Sequence, residues 1–548
     1  MSNGSITPGV SGKTEDGFHR RIGLFTATML VAGNMVGSGI FIVSADMARD
    51  VGGSGWLLLL WVLTGVMTIL GGLCYAELAS AIPKAGGQYL FLKEAFSPLW
   101  GFLYGWSAFT VIQCGSIAAV AVAFAKFLGV LVPGLGTGPE ATIFEMPLHI
   151  SIPLQLPWMP EAVPLFERDI FTISMGQVVA TGVIVMLTVV NCLGVAAGAW
   201  VQTLVTVAKL LALGLVIVVG LTVALDPDVI RRNWATAFDR ALDTDRIRQA
   251  ETLTGLAPSL AFFLVAAGAM VGSLFSADAW ANLTFTSGEV RDPHRTVPRS
   301  LVLGTCLVIA LYLLCNMAYL AVLPANGDAE LAKQLAGQAK GDRAHVEAVY
   351  AGSAAQLGIS NARDERVGTA VMEVASPRWG RTLMALAVMV STFGCVNGMI
   401  LMSARLMWAM AHDKLFYRGA RHLNRRGAPQ VALILQAIWS ILLLFSGTYS
   451  ELLDYVIFAS LLFYALTVAS LIRLRFTKPE LPRPFRVPFY PFLPIVYAML
   501  CISLMLALLI VRPGFTWPGL LIVALGIPVY GMFRLMGGRD EAQARAGS

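Results

Sequence analysis

Charged residues are scarce in this chain. Only 13% of its 548 residues are Asp, Glu, Lys or Arg, whereas 57% are hydrophobic, and the mean hydropathy is +0.71. Soluble domains carry charge at about 25% of positions, and a soluble chain of this length needs a charged surface for each of several domains. The deficit excludes that class and predicts a large integral membrane protein. The net charge of +6 is too small to indicate a nucleic-acid partner.

Cysteine and histidine are also scarce. The seven cysteines all fall inside apolar segments and form no CxxC pair, and the six histidines lie in loops or at segment ends. These patterns exclude a disulfide framework and argue against a metal site, so we expect no cofactor and no metal. The sequence contains no HExxH, GxSxG or P-loop motif, so an enzyme is not predicted.

Long apolar runs recur along the whole chain. Each is long enough to cross about 30 Å of hydrocarbon as a helix, although the ninth is short. Because the runs are continuous rather than alternating, they predict an all-α integral membrane fold with twelve transmembrane helices. The predicted spans are 22–45, 54–82, 99–130, 172–195, 199–223, 258–287, 299–324, 382–411, 431–447, 451–474, 491–511 and 514–534.

Lysine and arginine predict the orientation of these spans. They concentrate in alternate connections, such as those holding Arg20 and Arg21 or Arg291 and Arg295, and such connections stay cytoplasmic. We therefore expect a multi-pass protein of the cell (inner) membrane, with both termini cytoplasmic and the first helix retained. The predicted organisation is a tail at 1–21, five spans at 22–223, an outer loop at 224–257, five spans at 258–475 with a long outer loop at 325–381, a cytoplasmic loop at 476–490, two spans at 491–534 and a tail at 535–548. The loop at 325–381 is predicted to be a surface helix or an unordered segment.

The first span is rich in glycine. Gly33, Gly37 and Gly39 weaken a helix, since each costs up to about 1 kcal/mol relative to alanine. One interpretation is close helix packing through the GxxxG pattern. The other is a break at mid-membrane, which frees the amides of Ser38, Gly39 and Ile40 at a helix N-terminus. Such amides bind a carboxylate well.

The sixth span contains a carboxylate. Asp278 lies near the middle of an apolar run, where it costs about 2.5–3.5 kcal/mol unless it caps a broken helix or lines a polar cavity. Unwound carbonyls at Met35, Phe275 and Ser276 suit an ammonium group. Both anomalies open a set of five spans, and breaks at corresponding positions of two inverted halves indicate a transporter's central site. A carboxylate pocket beside an ammonium pocket predicts an α-amino acid.

The fifth span contains a lysine. Lys209 lies nine positions past Trp200, about 13 Å into the membrane. It either snorkels to the surface or belongs to a functional site. In a functional site it either exchanges a proton during a cycle or remains a fixed cation between helices.

Five motifs carry a family resemblance from about Arg21 to about Arg512. With these motifs the sequence resembles the amino acid–polyamine–organocation superfamily, and within it the L-type (light-chain-like) amino acid transporters. The motifs are Gly37-Ser-Gly-Ile-Phe41; Cys74-Tyr-Ala-Glu-Leu78 with Gly86-Gly-Gln-Tyr89; Val201-Gln-Thr with Lys209-Leu-Leu-Ala212; Phe393-Gly-Cys-Val-Asn-Gly398 with Ser403-Ala-Arg405; and Lys478-Pro-Glu-Leu481 with Arg483-Pro-Phe-Arg486.

The resemblance implies a five-plus-five inverted repeat with two added helices and with helices 1 and 6 broken. It implies that Lys209 fills the position of a sodium ion in sodium-coupled relatives. Asn397 matches a position of polar contact, although an interhelical hydrogen bond explains that residue equally well. The substrate-binding residues implied by the resemblance or by the breaks are Met35, Gly37, Ser38, Gly39, Ile40, Ser116, Phe275, Ser276, Asp278 and Asn397.

The chain departs from the family in two places. Ala277 and Ala279 flank Asp278 where the family commonly has an aromatic residue and a glycine, so the first change enlarges the pocket and the second stiffens the unwound strand. Animal members bond a heavy chain through a cysteine in the outer loop after span 3. Residues 131–170 contain no cysteine, so a disulfide-linked heavy chain is not expected.

These observations predict a sodium-independent carrier of neutral L-amino acids. It works by alternating access in the lipid bilayer, as an exchanger or a proton-linked carrier. The alternatives are a sodium-coupled, cationic amino acid or polyamine carrier of the same fold, an integral membrane enzyme, and an amino acid sensor that binds without flux.

Overall fold

The computed structural model describes residues 20–154, 163–241, 244–338, 343–446, 449–511 and 513–546. These residues form α-helices and one two-stranded antiparallel sheet. The helices are α1 Leu24–Met35, α2 Gly39–Val51, α3 Ser54–Ala81, α4 Gln88–Ala95, α5 Pro98–Ser107, α6 Gln113–Leu131, α7 Met175–Cys192, α8 Val195–Thr222, α9 Pro227–Ala235, α10 Asp245–Thr254, α11 Pro258–Ser276, α12 Pro293–Val322, α13 Ala329–Gln338, α14 Arg343–Leu357, α15 Val367–Ala375, α16 Gly380–His412, α17 Gln430–Ser446, α18 Tyr449–Thr477, α19 Phe492–Val511 and α20 Pro513–Ala546. The strands are β1 Thr142–Leu154 and β2 Val163–Ser174.

The predicted twelve-helix membrane fold is confirmed. Within the described residues, eleven helical segments are long and apolar enough to cross a membrane, and α17 is a shorter apolar helix at the predicted ninth span. Three spans are composite. α1 and α2 form the first, α5 and α6 form the third around a π-helical turn at Ala108–Ile112, and α11 continues into a 3₁₀ helix at Trp280–Glu289 as the sixth.

Small residues allow the spans to pack closely, as expected where water supplies no driving force between helices. A Cβ at Gly304 of α12 would lie 2.6 Å from the side chain of Val31 in α1, and a Cβ at Gly65 of α3 would lie 2.5 Å from Ile309 of α12. The first span therefore rests against α12, which in turn rests against α3.

The connections contain structure that the sequence did not predict. β1 and β2 form a hairpin in the predicted outer loop after span 3, with Glu145 paired to Thr172. The loop at 224–257 contains α9 and α10. The loop at 325–381 contains α13, α14 and α15, and most of α15 is buried rather than lying on the surface.

Buried ion pairs tie together helices that surround the two breaks. Arg405 of α16 donates to Glu289 at the end of the 3₁₀ helix (2.9 Å), and both side chains are buried. Glu77 of α3 accepts two hydrogen bonds, at 2.8 and 2.5 Å, from Arg475 of α18. The first pair holds α16 against the end of the sixth span, and the second pair holds α3 against α18.

Candidate functional site

The first span is interrupted between Met35 and Gly39. Val36 is extended (φ −75°, ψ 95°), and α2 begins at Gly39. As at any helix N-terminus, the first amides of α2, including those of Gly39 and Ile40, have no carbonyl one turn earlier to bond. Gly39 lies against the sixth span, because a Cβ there would collide with the Ser276 side chain.

The sixth span is interrupted between Ser276 and Trp280. α11 ends at Ser276, and Ala279 adopts a left-handed conformation (φ 64°) before the 3₁₀ helix starts. A left-handed backbone favours glycine, so alanine here is strained. Both predicted breaks are present, and they lie against each other.

One tyrosine hydroxyl joins the two breaks. Tyr312 of α12 places its hydroxyl 2.9 Å from the carbonyl oxygen of Met35 and 2.9 Å from that of Ser276. Both oxygens belong to the last residue of a helix, where a carbonyl has lost its intrahelical partner. Tyr312 therefore bridges the two broken ends, with its single hydroxyl proton shared between the two carbonyls.

Lys209 of α8 is buried against the first break. Its ammonium donates to the carbonyls of Gly33 and Val36, the latter at 2.6 Å, and more weakly to that of Ser391 (3.4 Å). The residue is 1% exposed, so it does not snorkel to the membrane surface. The hydroxyl of Ser391 in α16 also donates to the Gly37 carbonyl at 2.9 Å.

Asp278 is buried in the second break. Its carboxylate accepts a hydrogen bond from the Tyr464 hydroxyl of α18. No lysine or arginine of the described residues forms an ion pair with this carboxylate.

A cavity of about 20 Å³ separates the two breaks. It holds a water-sized group and no more, so an amino acid enters only when the surrounding helices move. Its lining contains Met35, Gly37, Ser38, Gly39, Ser116, Phe275, Ser276 and Asp278 of the predicted set, together with Asn34, Val120, Ala279, Cys395 and Met399.

Asn397 lies away from this cavity. Its amide accepts from Asn191 of α7 (2.9 Å) and donates to Gln202 (3.0 Å) and to the Gly198 carbonyl of α8 (3.2 Å). The structure therefore assigns it to an interhelical network, which is the alternative that the sequence left open. Ile40 lies in the first turn of α2, where its backbone amide is near the first break.

Sequence reasoning missed the contacts that come from distant helices. Cys395 and Met399 of α16 line the cavity, and Cys395 also donates to the Asn34 carbonyl at 3.0 Å. With Ser391 they recur every fourth residue, so they share one face of the helix. That spacing was a usable signal. For Tyr312 and Tyr464 the sequence shows only a tyrosine within an apolar span, which does not indicate a role at the site.

Two interrupted helices that meet at a small cavity inside a bundle of membrane-spanning helices are the arrangement typical of membrane transporters. The sequence profile of the amino acid permease family matches residues 22–533, so the chain belongs to that family.

Named relatives cover most of the chain. It is 30% identical to the large neutral amino acids transporter small subunit 2 of Mus musculus and of Homo sapiens, over 512 residues that make up 93% of this chain and 80% of each relative. It is 27% identical to the b(0,+)-type amino acid transporter 1 of Mus musculus, over 91% of this chain and 84% of the relative. The resemblance to the L-type transporters is thereby confirmed, and the family is one of transporters rather than enzymes.

Proposed function

We propose that this protein carries neutral L-amino acids across the cell membrane by alternating access and without sodium. The observation that carries the proposal is the position of Lys209. Its ammonium binds the carbonyls of Gly33 and Val36 at the break in the first span. Unwound carbonyls of this kind coordinate the coupling cation in sodium-linked transporters. A fixed ammonium at the same groups makes a sodium ion unnecessary.

The substrate is a zwitterion that bridges the two breaks. Its carboxylate binds at the N-terminus of α2, where the amides of Gly39 and Ile40 and the positive end of the helix dipole attract an anion. Its ammonium lies toward Asp278 and the carbonyls at the end of α11. Phe275, which lines the cavity, covers the bound molecule.

The charges of the site favour a neutral substrate. Lys209 and Asp278 are one potential cation and one potential anion beside the breaks, so a zwitterion adds no net charge. The names of two relatives, which specify large neutral amino acids, support the same class. A cationic amino acid is the second candidate, because Asp278 lacks a cationic partner among the described residues.

Alternating access follows from the organisation proposed for the chain. Residues 22–223 and 258–475 form two five-span sets of opposite orientation, with both termini cytoplasmic, and one set rocks against the other around the fixed breaks. The small size of the cavity supports such a cycle, since the site must open to load. The absence of cysteine from residues 131–170 supports a carrier without a disulfide-linked heavy chain.

Uptake by proteoliposomes tests this proposal. Purified protein is reconstituted with unlabelled leucine inside, and entry of radiolabelled leucine, lysine and putrescine is measured in sodium and in choline buffers. We expect leucine entry at equal rates in both buffers, and little entry of the two cations. A sodium requirement would refute the assignment of Lys209, preferred lysine entry would favour the cationic carrier, and saturable binding without entry would identify a sensor. Protein-free liposomes provide the control.

A further inference from the structure

A second cavity lies on the other side of Asp278. It is formed between α3, the break after α11, α18 and α19, and its walls include Thr68, Ala277, Ser460, Tyr464 and Tyr497. Its volume is about 20 Å³, which is room for one water molecule. Asp278 is the residue that lines both this cavity and the one between the breaks.

The second cavity has polar groups available for such a molecule. The hydroxyl of Ser460 is buried, lines the cavity and has no hydrogen-bond partner within the described part of the chain. Thr68 donates its own proton to the Thr64 carbonyl at 2.8 Å, so its oxygen still accepts. A buried hydroxyl without a partner costs about 1–3 kcal/mol, and a water that bridges Ser460, Thr68 and Asp278 removes that cost.

Asp278 has no counter-ion on any side that the structure describes. The titratable side chains that face it or line its second cavity are neutral types, namely Tyr75 of α3, Tyr104 of α5, Cys395 of α16, Tyr464 of α18 and Tyr497 of α19. The parts of α1, α2 and α6 that line the first cavity contribute no titratable group. Lys209 is bound to carbonyls of the first break instead. An uncompensated carboxylate inside a membrane is costly, so Asp278 needs either a positively charged ligand or a proton.

We propose that a proton, delivered through a water molecule in the second cavity, replaces the substrate's ammonium on Asp278 whenever the carrier is empty. This inference rests on the proposed function. In the loaded carrier the ammonium compensates the carboxylate. In the empty carrier one carboxylate oxygen of Asp278 gains a proton from that water, which recovers one from the solvent, and the protonated carrier reorients. The proton leaves before the next substrate binds.

This cycle separates exchange from net transport. Exchange moves a loaded carrier in both directions, so it needs no proton. Net uptake returns an empty carrier, so one proton leaves for each neutral amino acid that enters. Net flux therefore falls as the pH rises, by up to tenfold per pH unit once protonation of Asp278 limits the return, whereas exchange changes little.

Two flux modes in the same proteoliposomes test the cycle. Leucine entry is measured with and without internal leucine from pH 5.5 to 8.5, and an enclosed pH-sensitive dye follows proton movement. We expect net entry to be acid-stimulated with about one proton leaving per leucine, and exchange to vary less than about twofold. Equal pH profiles for the two modes, no proton movement, or protons entering with leucine would each overturn the inference. Persisting exchange in those cases leaves the proposed function intact, whereas no flux in either mode refutes the proposed function itself.

Variants of α18 and of Asp278 sharpen the test. Ser460→Ala removes one of the water's proposed partners, so we expect net entry to slow by about threefold to tenfold with exchange retained. Ser470→Ala is the matched control, because Ser470 is buried in the same helix but bonds the Thr467 carbonyl at 2.6 Å and lies outside the cavity. Asp278→Asn mimics the protonated side chain, so its remaining net flux should lose pH dependence. A retained acid stimulation in Asp278→Asn would assign the proton to another group.

Discussion

The two breaks at the centre of the molecule are built differently. The first, after Met35, is flanked by glycines, and its carbonyls are bound by donors from α8, α12 and α16. The second, after Ser276, is flanked by Ala277 and Ala279 and contains a carboxylate with no cationic partner among the described residues. The first break is thus internally compensated and suits a fixed anion site. The second break contains a carboxylate without a compensating positive charge. The substrate's ammonium or a proton must supply that charge, so we expect transport to be coupled to protons at this break.

The largest effect is expected where the two breaks touch. Gly39→Val places a branched side chain into Ser276, because even a Cβ at this position collides with it. The collision separates the breaks and obstructs the amides that bind the substrate carboxylate. We expect leucine exchange to fall more than a hundredfold, with no saturable binding by scintillation proximity.

Gly182→Val is the control for that variant. A Cβ at Gly182 of α7 would have no heavy atom within 4 Å, and Gly182 is not in the lining of the cavity between the breaks. We expect exchange within about threefold of the unmodified protein. Normal affinity in Gly39→Val, or equal loss in both variants, would show that the close approach of the breaks is not what the site requires.

The next largest effect tests whether the first break depends on the donor that binds its free carbonyls. Lys209→Ala removes the donor shared by the Gly33 and Val36 carbonyls, and each buried acceptor left alone costs about 1–3 kcal/mol. We expect exchange to fall about tenfold to a hundredfold while the protein remains folded by size-exclusion chromatography.

Lys333→Ala separates loss of this contact from loss of a positive charge in general. Lys333 is exposed in α13 and pairs with the exposed Glu330 at 2.8 Å. Its removal should leave exchange unchanged. An exchange rate in Lys209→Ala equal to that of the unsubstituted protein would show that the ammonium of Lys209 is not needed for transport.

The breaks were predictable because a membrane penalises them. Hydrocarbon leaves no water to bond a free amide or a carboxylate, so clustered glycines near Gly37 and a charge at Asp278 stand out against apolar spans. The same reasoning predicted twelve helices. The hairpin was not predictable in this way, since Pro147 and Pro153 argue against strands and are tolerated only because both strands of a two-stranded sheet are edges.

The contacts between distant helices were the part that sequence could not supply. The meeting of Tyr312 with both breaks, or of Tyr464 with Asp278, depends on how α12 and α18 rotate against their neighbours. Asn397 shows the converse, because a polar residue in a site-forming helix turned out to face α7 and α8. A single sequence identifies an unusual side chain but not the face on which it lies.

Tyr312→Phe tests what the two breaks have in common. The change removes one hydroxyl that serves the carbonyls of Met35 and Ser276, and it leaves the ring and its contact with Trp61 in place. We expect exchange to fall about threefold to tenfold and the two flux modes to fall together. Tyr319→Phe is the control, because that hydroxyl donates to the Ile40 carbonyl of α2 at 3.2 Å and to neither of the two carbonyls that Tyr312 contacts. A larger loss of exchange in Tyr319→Phe than in Tyr312→Phe would show that the contact with α2, rather than the bridge between the two breaks, is what exchange requires.

The smallest effect concerns the strain stored in the second break. Ala279→Gly relieves a left-handed alanine, worth about 1–2 kcal/mol, and adds chain entropy to the unfolded state, worth about 0.5–1 kcal/mol in the opposite direction. We expect a net gain of roughly 0.5 kcal/mol, read as a rise of about 0.5 °C in the unfolding temperature in detergent. Ala281→Gly in the adjoining 3₁₀ helix has no such strain to relieve, so it should lower that temperature instead. If both glycines destabilise equally, the left-handed turn is no more strained than the helix that follows it, and the contrast between the two breaks then rests on Asp278 alone.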